Sequence, residues 1–324
     1  MPERSTQCAG VVDTRDNHPM DVPVTASAQS VRLERFFATR VRPAADRSPM
    51  RGIQLRMLRQ FADSGGLQRL PRGTRTWTAQ YGHVRGAWVQ AKGASVANGI
   101  LLHLHGGGFT FGSPRSHRSF ALVLSRRTGR PVFLPNYRRA PEHPYPAAAD
   151  DCLTVYRRLL DRGIAAHRIA VTGDSAGGHL TACLLADLRR RRLPMPSHAV
   201  FFSPWLDLSG ELAAARDLVR HDPFVSPQAI QRCRRAYLGD RDAKAERLAV
   251  LDADKSGWPP TLIQVGDTEC LLDDARRLAD SLRSAEIPVE LQEWPGQVHV
   301  FPLFSNLVPE GRQAIRYVAD FVSV

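Results

Sequence analysis

Residues 173–177 have the sequence GDSAG, which is typical of a nucleophilic serine held on a sharp turn. An apolar run, residues 168–172, leads into the turn and a helical pattern follows it, so Ser175 lies between a predicted strand and a predicted helix. The flanking glycines permit the tight turn and the close packing of helix against strand. The hydroxyl would project into a cleft at a helix N-terminus, where positive partial charge favours a developing oxyanion. The alternative is a glycine-rich turn or a phosphate-binding loop.

A second glycine-rich segment, with the sequence HGGGF at residues 105–109, follows an apolar run that ends at Leu104. Three successive glycines leave backbone N–H groups free to point into one small space, which is how an oxyanion hole is built without side chains. We predict that Gly107 and Gly108 are donors, together with the N–H of Ala176. His105 is predicted to hold the loop by hydrogen bonds, and a flexible glycine turn is the alternative.

A nucleophilic serine needs a general base, and His299 is the best-placed histidine. It lies in the sequence GQVHVF, residues 296–301, in a loop directly after the last apolar run of the chain. The other ten histidines lie within predicted strands, beside other motifs or away from the strand ends. We therefore predict that His299 accepts the proton of Ser175.

The carboxylate that orients this histidine is expected in residues 266–274, which have the sequence GDTECLLDD. Asp273 and Asp274 begin a predicted helix and could cap its N-terminus. Asp267 follows a predicted strand immediately and could stabilise the turn. Glu269 is best placed on the loop to reach the histidine, so we predict Glu269 as the acid and keep Asp267 as the alternative.

Short apolar runs alternate with helical patterns through most of the chain. Two alternating runs, residues 76–81 and 84–90, predict a hairpin across Gly82-His83. The further apolar runs cover residues 99–104, 131–135, 168–172, 199–203, 261–265 and 289–294, and the helical patterns between them include residues 116–127, 147–162, 176–192 and 272–285. This alternation predicts an α/β protein with a mostly parallel central sheet, helices on both faces and the hairpin as an antiparallel edge.

Two parts of the chain depart from this alternation. Residues 1–70 carry no strand pattern, and residues 207–255 are polar, Arg-rich and helical where a connection between strand and helix should be short. We interpret them as the two parts of one helical cap over the site. The core is then formed by residues 71–206 and 256–324.

Composition excludes several classes of protein. With 324 residues and 43% hydrophobic side chains the chain can bury a large core, so it is neither disordered nor fibrous. Its five cysteines are odd in number and lack any C-x-x-C, which argues against a disulfide framework or a zinc site. The polar residues 1–21 do not have the pattern of a secretory signal, and no apolar stretch is long enough to span a bilayer. We therefore expect a cytoplasmic protein without stable membrane insertion.

The formal net charge of +12 raises the alternative of nucleic-acid binding. The excess is almost wholly arginine and is spread along the chain. Its one dense run, residues 189–192, closes a predicted helix, where cations suit the exposed carbonyl groups. No aromatic-rich nucleic-acid motif accompanies it, so we expect no nucleic-acid partner.

Taken together, these residues resemble the hormone-sensitive-lipase-like group of α/β-hydrolases, the bacterial esterases of the α/β-hydrolase-3 type. The resemblance extends from about Gly82 to the C-terminus. The matching segments are HGGGF at 105–109 with Gly112-Ser113, YRRAPE at 137–142, PAA at 146–148, GDSAGG at 173–178, SPWLD at 203–207 and HVF at 299–301.

The resemblance implies the α/β-hydrolase fold with a helical cap, and it carries the nucleophile and oxyanion roles to Ser175, Gly107, Gly108 and Ala176. Many members have Asp-Pro-Leu at the acid position, where this chain has residues 269–271 as Glu-Cys-Leu, as in a glutamate-bearing subset. Asp174 and Glu142 are implied to support the turn at residues 173–177, called the elbow, and the glycine-rich loop at residues 105–110, called the oxyanion loop.

The implied activity is hydrolysis of short to medium acyl esters, including an acetyl ester or a lactone, by a serine carboxylesterase that forms an acyl-enzyme. The resemblance implies no metal and no organic cofactor, and the implied partner is a small-molecule ester. It leaves open whether the protein forms a homodimer. Two alternatives use the same fold: an amidase with the same triad, and a non-catalytic small-molecule receptor. The gibberellin receptors of plants resemble this fold but lose the base histidine, whereas this chain has His299.

Overall fold

The computed structural model describes residues 22–47, 51–64 and 69–323 of the chain. Within these residues, one sheet contains the strands β1 (Arg75–Tyr81), β2 (Val84–Gln90), β3 (Ile100–Leu104), β4 (Val132–Pro135), β5 (Ile169–Asp174), β6 (His198–Phe202), β7 (Thr261–Gly266) and β8 (Val289–Trp294). The α-helices are α1 (Ala28–Phe36), α2 (Arg42–Arg47), α3 (Gly52–Ser64), α4 (Arg118–Thr128), α5 (Ala147–Asp161), α6 (Ala176–Arg190), α7 (Glu211–Val219), α8 (Pro227–Leu238), α9 (Leu272–Ser284) and α10 (Pro309–Phe321). A π-helical segment, Phe37–Val41, joins α1 to α2.

The strand order is β1-β2-β4-β3-β5-β6-β7-β8. β2 pairs antiparallel with both β1 and β4, and every other neighbouring pair is parallel. The predicted mostly parallel sheet with an antiparallel hairpin at its edge is therefore confirmed. The position of β4 between β2 and β3 is a long-range feature that the local sequence pattern does not contain.

Helices cover both faces of the sheet, so the central strand β3 is buried along its whole length. Ile100 and Leu102 of β3 pack with α5 and α6 on one face. Leu101, which points the other way, packs with α4 and α10. Alternate residues of one strand thus enter opposite layers, which explains why the strands of the centre are continuous apolar runs rather than alternating ones.

The predicted elements agree closely with the observed ones around the candidate nucleophile. β5 extends through Asp174, beyond the predicted end at residue 172, so Ser175 follows the strand without any intervening loop. α6 begins at the next residue and ends at Arg190, which places the predicted arginine run at a helix C-terminus. The cysteines within the described residues are free and buried, while Cys8 lies outside the described residues.

The N-terminal helices and the segment after Asp207 contact each other. Arg42 of α2 forms an ion pair with Asp217 of α7, with Nη2 and Oδ2 2.8 Å apart. The rings of Phe37 and Phe224 pack with centroids 4.1 Å apart. Residues 1–21, 48–50 and 65–68 of the predicted N-terminal part of the cap lie outside the described residues. No helix in the described ranges has both the length and the apolar content needed to cross a bilayer.

The close packing of α6 on β3 generates a stability prediction. A Cβ on Gly177 would overlap the carbonyl oxygen of Leu104, and backbone cannot move aside as a flexible side chain can. We expect Gly177→Ala to lower the free energy of unfolding by about 3 kcal/mol. Urea unfolding followed by circular dichroism measures this loss.

Gly163→Ala is the matched control for that substitution. Gly163 has open space around its Cβ position but a φ of +82°, so alanine there meets only left-handed backbone strain of about 1 kcal/mol. If Gly177→Ala lowers the free energy of unfolding no more than Gly163→Ala does, the predicted overlap with the Leu104 carbonyl is contradicted.

Candidate active site

Ser175 stands in a strained backbone conformation between β5 and α6. Its φ is +53° and its ψ is −122°, values that a residue with a Cβ rarely adopts. The surrounding backbone holds this conformation, because the Ser175 N–H donates to the carbonyl of Phe202 at 2.9 Å and its own carbonyl accepts from Gly178 and Trp205 at 2.9 and 3.0 Å. The side chain keeps partial exposure, so a substrate can reach Oγ.

The structure brings Ser175, His299 and Glu269 into one hydrogen-bonded chain. His299 Nε2 lies 2.9 Å from Ser175 Oγ, and His299 Nδ1 lies 2.7 Å from Glu269 Oε2. Glu269 is fully buried and His299 is 5% exposed. Ser175 Oγ is therefore in contact with an imidazole whose far nitrogen faces a carboxylate, which is the arrangement that serine acyl transfer requires.

The surroundings of His299 favour its charged form. Burial by itself lowers the pKa of this histidine, because it disfavours the imidazolium. The hydrogen bond and the charge of Glu269 act in the opposite direction, and the charges of Asp222 and Asp174 add to them. The pKa of His299 is consequently raised above its ordinary value, which stabilises the imidazolium relative to the neutral ring.

The other three carboxylates of residues 266–274, called the acid loop below, have different partners. Asp267 accepts from the backbone N–H of Gly296 at 2.7 Å and forms an ion pair with Arg220, so it fixes the start of the His299 loop. The interpretation of Asp274 as a helix cap is wrong. This buried carboxylate accepts the N–H groups of Leu206 and Asp207, both at 2.6 Å, because the chain after β6 passes directly over the start of α9.

Asp273 does not cap the helix either. The cap position of α9 is Leu271, which makes no side-chain cap hydrogen bond, and Asp273 instead pairs with Arg276 one turn later, with Nη1 and Oδ1 3.2 Å apart. Its carboxylate is in the first turn of the helix, where negative charge still complements the helix dipole.

The N–H groups of the predicted oxyanion hole belong to two segments, the glycine-rich loop of residues 105–109 and the start of α6. Gly107 and Gly108 have φ values of +109° and +56°, which glycine adopts without a steric penalty. Within the described residues their N–H groups have no protein acceptor among the hydrogen bonds found, whereas the N–H of Gly106 donates to Asp174 at 2.9 Å. Ala176 is the first residue of α6, so its N–H lacks an intrahelical acceptor.

The buried carboxylate of Asp174 supports both the elbow and the oxyanion loop. Besides Gly106, the Nε2 atoms of His103 and His117 lie 3.2 and 3.4 Å from its two oxygens. Burial by itself raises the pKa of Asp174, but these two histidines outweigh it and hold the pKa well below its usual range. In the described residues these three side chains are the one group with the spacing of metal ligands, although each already has a partner within the group.

The oxyanion loop is also held from outside the sheet. The phenol of Tyr137 donates to the carbonyl of His105 at 2.6 Å, and the two rings stack with centroids 4.2 Å apart. Arg59 of α3 donates to the carbonyl of Thr110 and pairs with Glu142, each at 2.8 Å. The predicted structural roles of His105 and Glu142 correspond to these contacts.

Comparison with known proteins gives the family. Residues 101–303 match a protein family whose description is the α/β-hydrolase fold. An acetyl-hydrolase of Streptomyces hygroscopicus is 38% identical over 241 residues, which cover 74% of this chain and 80% of that protein. An esterase of Acinetobacter venetianus is 36% identical, with 74% and 79% covered.

Solved structures agree with this result. An esterase from the bacterial hormone-sensitive lipase family superposes with a TM-score of 0.82 at 33% identity, covering 92% of this chain and 98% of that one. EstE5, soaked with p-nitrophenyl butyrate, gives a TM-score of 0.83 at 32% identity with the same coverage. The chain is a hormone-sensitive-lipase-like α/β-hydrolase. The predicted family and fold class are confirmed, and the protein is a carboxylic ester hydrolase.

Sequence reasoning missed one residue at the centre of this hydrolase. Ser203, fully buried after β6, donates its hydroxyl to Glu269 Oε1 at 2.6 Å and accepts the N–H of Val300 at 3.0 Å. The same Oε1 accepts the N–H of Gly266 at 2.6 Å. One oxygen of the carboxylate is thereby fixed, which leaves the other directed at His299. The signal for this residue in the sequence is the Ser-Pro at 203–204, which belongs to the SPWLD segment of the family resemblance.

A second missed residue comes from the segment after Asp207. Asp222 is fully buried and accepts the N–H of Cys270, the neighbour of Glu269, at 2.9 Å. The same carboxylate accepts the N–H of Phe224 at 2.7 Å, and the Phe224 ring packs edge-on against His299 with centroids 5.9 Å apart. A single side chain thus joins this segment to the loop of the acid.

We expect Ser203→Ala to lower kcat about tenfold with little change in KM, because the carboxylate loses one of the two donors that orient it. The matched control is Ser125→Ala, which removes another buried hydroxyl that accepts a backbone N–H, that of Ala91 at 2.9 Å. Both variants should lose about 1–2 kcal/mol of stability. Steady-state kinetics and urea unfolding together separate the two effects, and an equal kcat in both variants would contradict the role of Ser203.

Proposed function

We propose that this hydrolase cleaves short to medium acyl esters, such as an acetyl ester or a lactone, through a triad of Ser175, His299 and Glu269. The observation that carries the proposal is the continuous contact from Ser175 Oγ through both nitrogens of His299 to Glu269, at 2.9 and 2.7 Å. The acetyl-hydrolase and esterase names of its relatives support the ester class.

The proposed reaction has two halves. His299 takes the proton of Ser175 as Oγ attacks the ester carbonyl, and the N–H groups of Gly107, Gly108 and Ala176 stabilise the oxyanion. His299 then protonates the leaving alcohol, which departs and leaves the acyl-enzyme. Water gives its proton to His299 as it attacks the acyl carbonyl, and the acid leaves as the proton returns to Ser175. These steps use only side chains, backbone amides and water.

The N-terminal helices and residues 207–255 are proposed to form the cap over this site. Two contacts support this position of residues 207–255: Phe224 lies against His299, and a Cβ added to Gly108 would approach Cys233 Sγ of α8 to 2.6 Å. For the N-terminal helices the supporting contact is that of Arg59 with the carbonyl of Thr110. A cap helix packed this closely on the oxyanion loop limits the space beside the nucleophile. We therefore expect preference for small acyl groups.

Ser175→Ala tests the nucleophile. Purified wild-type protein should hydrolyse p-nitrophenyl esters with the highest kcat/KM at the short end of the series from acetate to palmitate. The variant should lose at least about 10³-fold in kcat, because no other group supplies the attacking oxygen. Folded wild-type protein that hydrolyses no ester would overturn the proposal and favour an amidase or a ligand receptor.

Glu269→Gln tests the acid. The substitution removes the charge that raises the pKa of His299, so kcat should fall about 10²- to 10⁴-fold. The histidine must be neutral to act as base. A lowered pKa therefore moves the acid limb of the profile of kcat/KM against pH to lower pH.

Asp267→Asn is the matched control for the acid, since it makes the same change of carboxylate to amide two residues earlier. The variant should keep most of the activity, because Asp267 bonds to Gly296 and not to His299. The opposite ranking of the two variants would assign the acid to Asp267.

A further inference from the structure

Helix α3 has two chemically different faces. On its inner face Leu55 is buried, and Arg59 bonds to the oxyanion loop. On the opposite face Ile53, Met57 and Phe61 follow one another at intervals of four residues, and they are 74%, 62% and 77% exposed. A helix of a globular protein ordinarily directs its apolar face to the core, whereas this apolar stripe of α3 faces solvent.

Exposed apolar side chains are concentrated in the same part of the protein. Among the described residues, eleven large hydrophobic side chains are exposed, and eight of them belong to residues 22–64 or to α7. These eight are Val24, Val31, Phe36, Ile53, Met57, Phe61, Leu218 and Val219. Only Trp77, Val96 and Leu307 lie elsewhere.

The same N-terminal residues are strongly cationic. Residues 22–64 contain eight arginines and three acidic residues. Arg42 and Arg59 form ion pairs with Asp217 and Glu142. The other six are exposed, and no ion pair with a described residue is found for them: Arg32, Arg35, Arg40, Arg47, Arg51 and Arg56. Arg51 comes directly before α3, and Arg56 lies between Ile53 and Met57 in sequence.

We propose that the outer face of α3, with its stripe of Ile53, Met57 and Phe61, docks on an anionic lipid surface together with Arg56 and with Arg51 directly before the helix. A helix with an apolar stripe and flanking cations lies in the plane of a bilayer, with the apolar side chains among the acyl chains and the cations at the phosphate groups. This binding is peripheral and reversible. It is independent of the catalytic proposal, because none of the five side chains belongs to the triad or to the oxyanion loop.

The charges decide between a lipid surface and a second copy of the chain. A symmetric dimer through this face would place the same cationic patch on both sides of the contact. The arginines of the two copies would then repel each other across an apolar interface. An anionic lipid surface satisfies both the cations and the apolar side chains.

Cosedimentation with vesicles tests the proposal. The protein carries Ser175→Ala, so that hydrolysis of lipid does not affect the measurement. It should bind vesicles of phosphatidylcholine with added phosphatidylglycerol, and bind vesicles of phosphatidylcholine alone much more weakly. Binding should weaken as salt is raised, because the arginines are screened.

Two sets of variants assign the face. Ile53→Ser, Met57→Ser and Phe61→Ser together should lower partitioning at least about tenfold, and Arg51→Gln with Arg56→Gln should lower it by about fivefold for each charge removed. The control combines Val96→Ser and Leu307→Ser, two apolar residues that are 62% and 60% exposed outside these segments, and should bind as the parent does. Circular dichroism and thermal unfolding show that each variant is folded.

Three results would overturn the proposal. These are the absence of binding to anionic vesicles at low salt, equal binding by the triple variant and the parent, and a dimer in size-exclusion chromatography that the triple variant abolishes without any vesicle binding. The last result would assign the face to a second copy. If the protein proved not to hydrolyse esters, its expected binding to anionic vesicles would be unchanged. Failure of the esterase proposal and failure of the lipid proposal are therefore distinguishable.

Discussion

The site depends on the backbone conformation of Ser175. A positive φ at a residue with a Cβ costs of order 1–3 kcal/mol and persists only where the surroundings determine it. Here the parallel strands fix the residue before it, α6 fixes the residue after it, and Gly177 lets the helix approach β3 closely enough to close the turn. The sheet and its two helical layers therefore serve, at this point, to hold one hydroxyl in a position that an unsupported turn would not maintain.

Two buried carboxylates extend that constraint to the neighbouring loops. Asp174 connects the strand before the nucleophile to the oxyanion loop, and Glu269 connects the acid loop to the base. A buried charge is costly unless its oxygens are hydrogen-bonded, and in both residues donors surround the carboxylate. Such networks tolerate little displacement, because a lost donor leaves an oxygen unsatisfied. They set the separation between Ser175, the glycines of residues 106–108 and His299.

The sequence predicted those features that depend on local spacing. The elbow at Ser175, the glycines of the oxyanion loop and the histidine after the last strand could be predicted because each follows an apolar strand directly. Contacts between distant segments could not be predicted in this way. Ser203 reaches Glu269 only because β6 and β7 are neighbours in the sheet, and Asp274 bonds to the chain after β6 rather than to its own helix for the same reason.

The contact of Asp222 with Cys270 has a consequence for selectivity. Asp222 belongs to the segment proposed to cover the site, and the residue it holds is adjacent to Glu269 in the chain. An ester too bulky to fit without displacing this segment would break the hydrogen bond between Asp222 and Cys270 for as long as the ester is bound. Discrimination against large substrates would then be expressed in the rate of the chemical step and not only in affinity. Substrate size and the alignment of His299 would then be coupled through the side chain of Asp222.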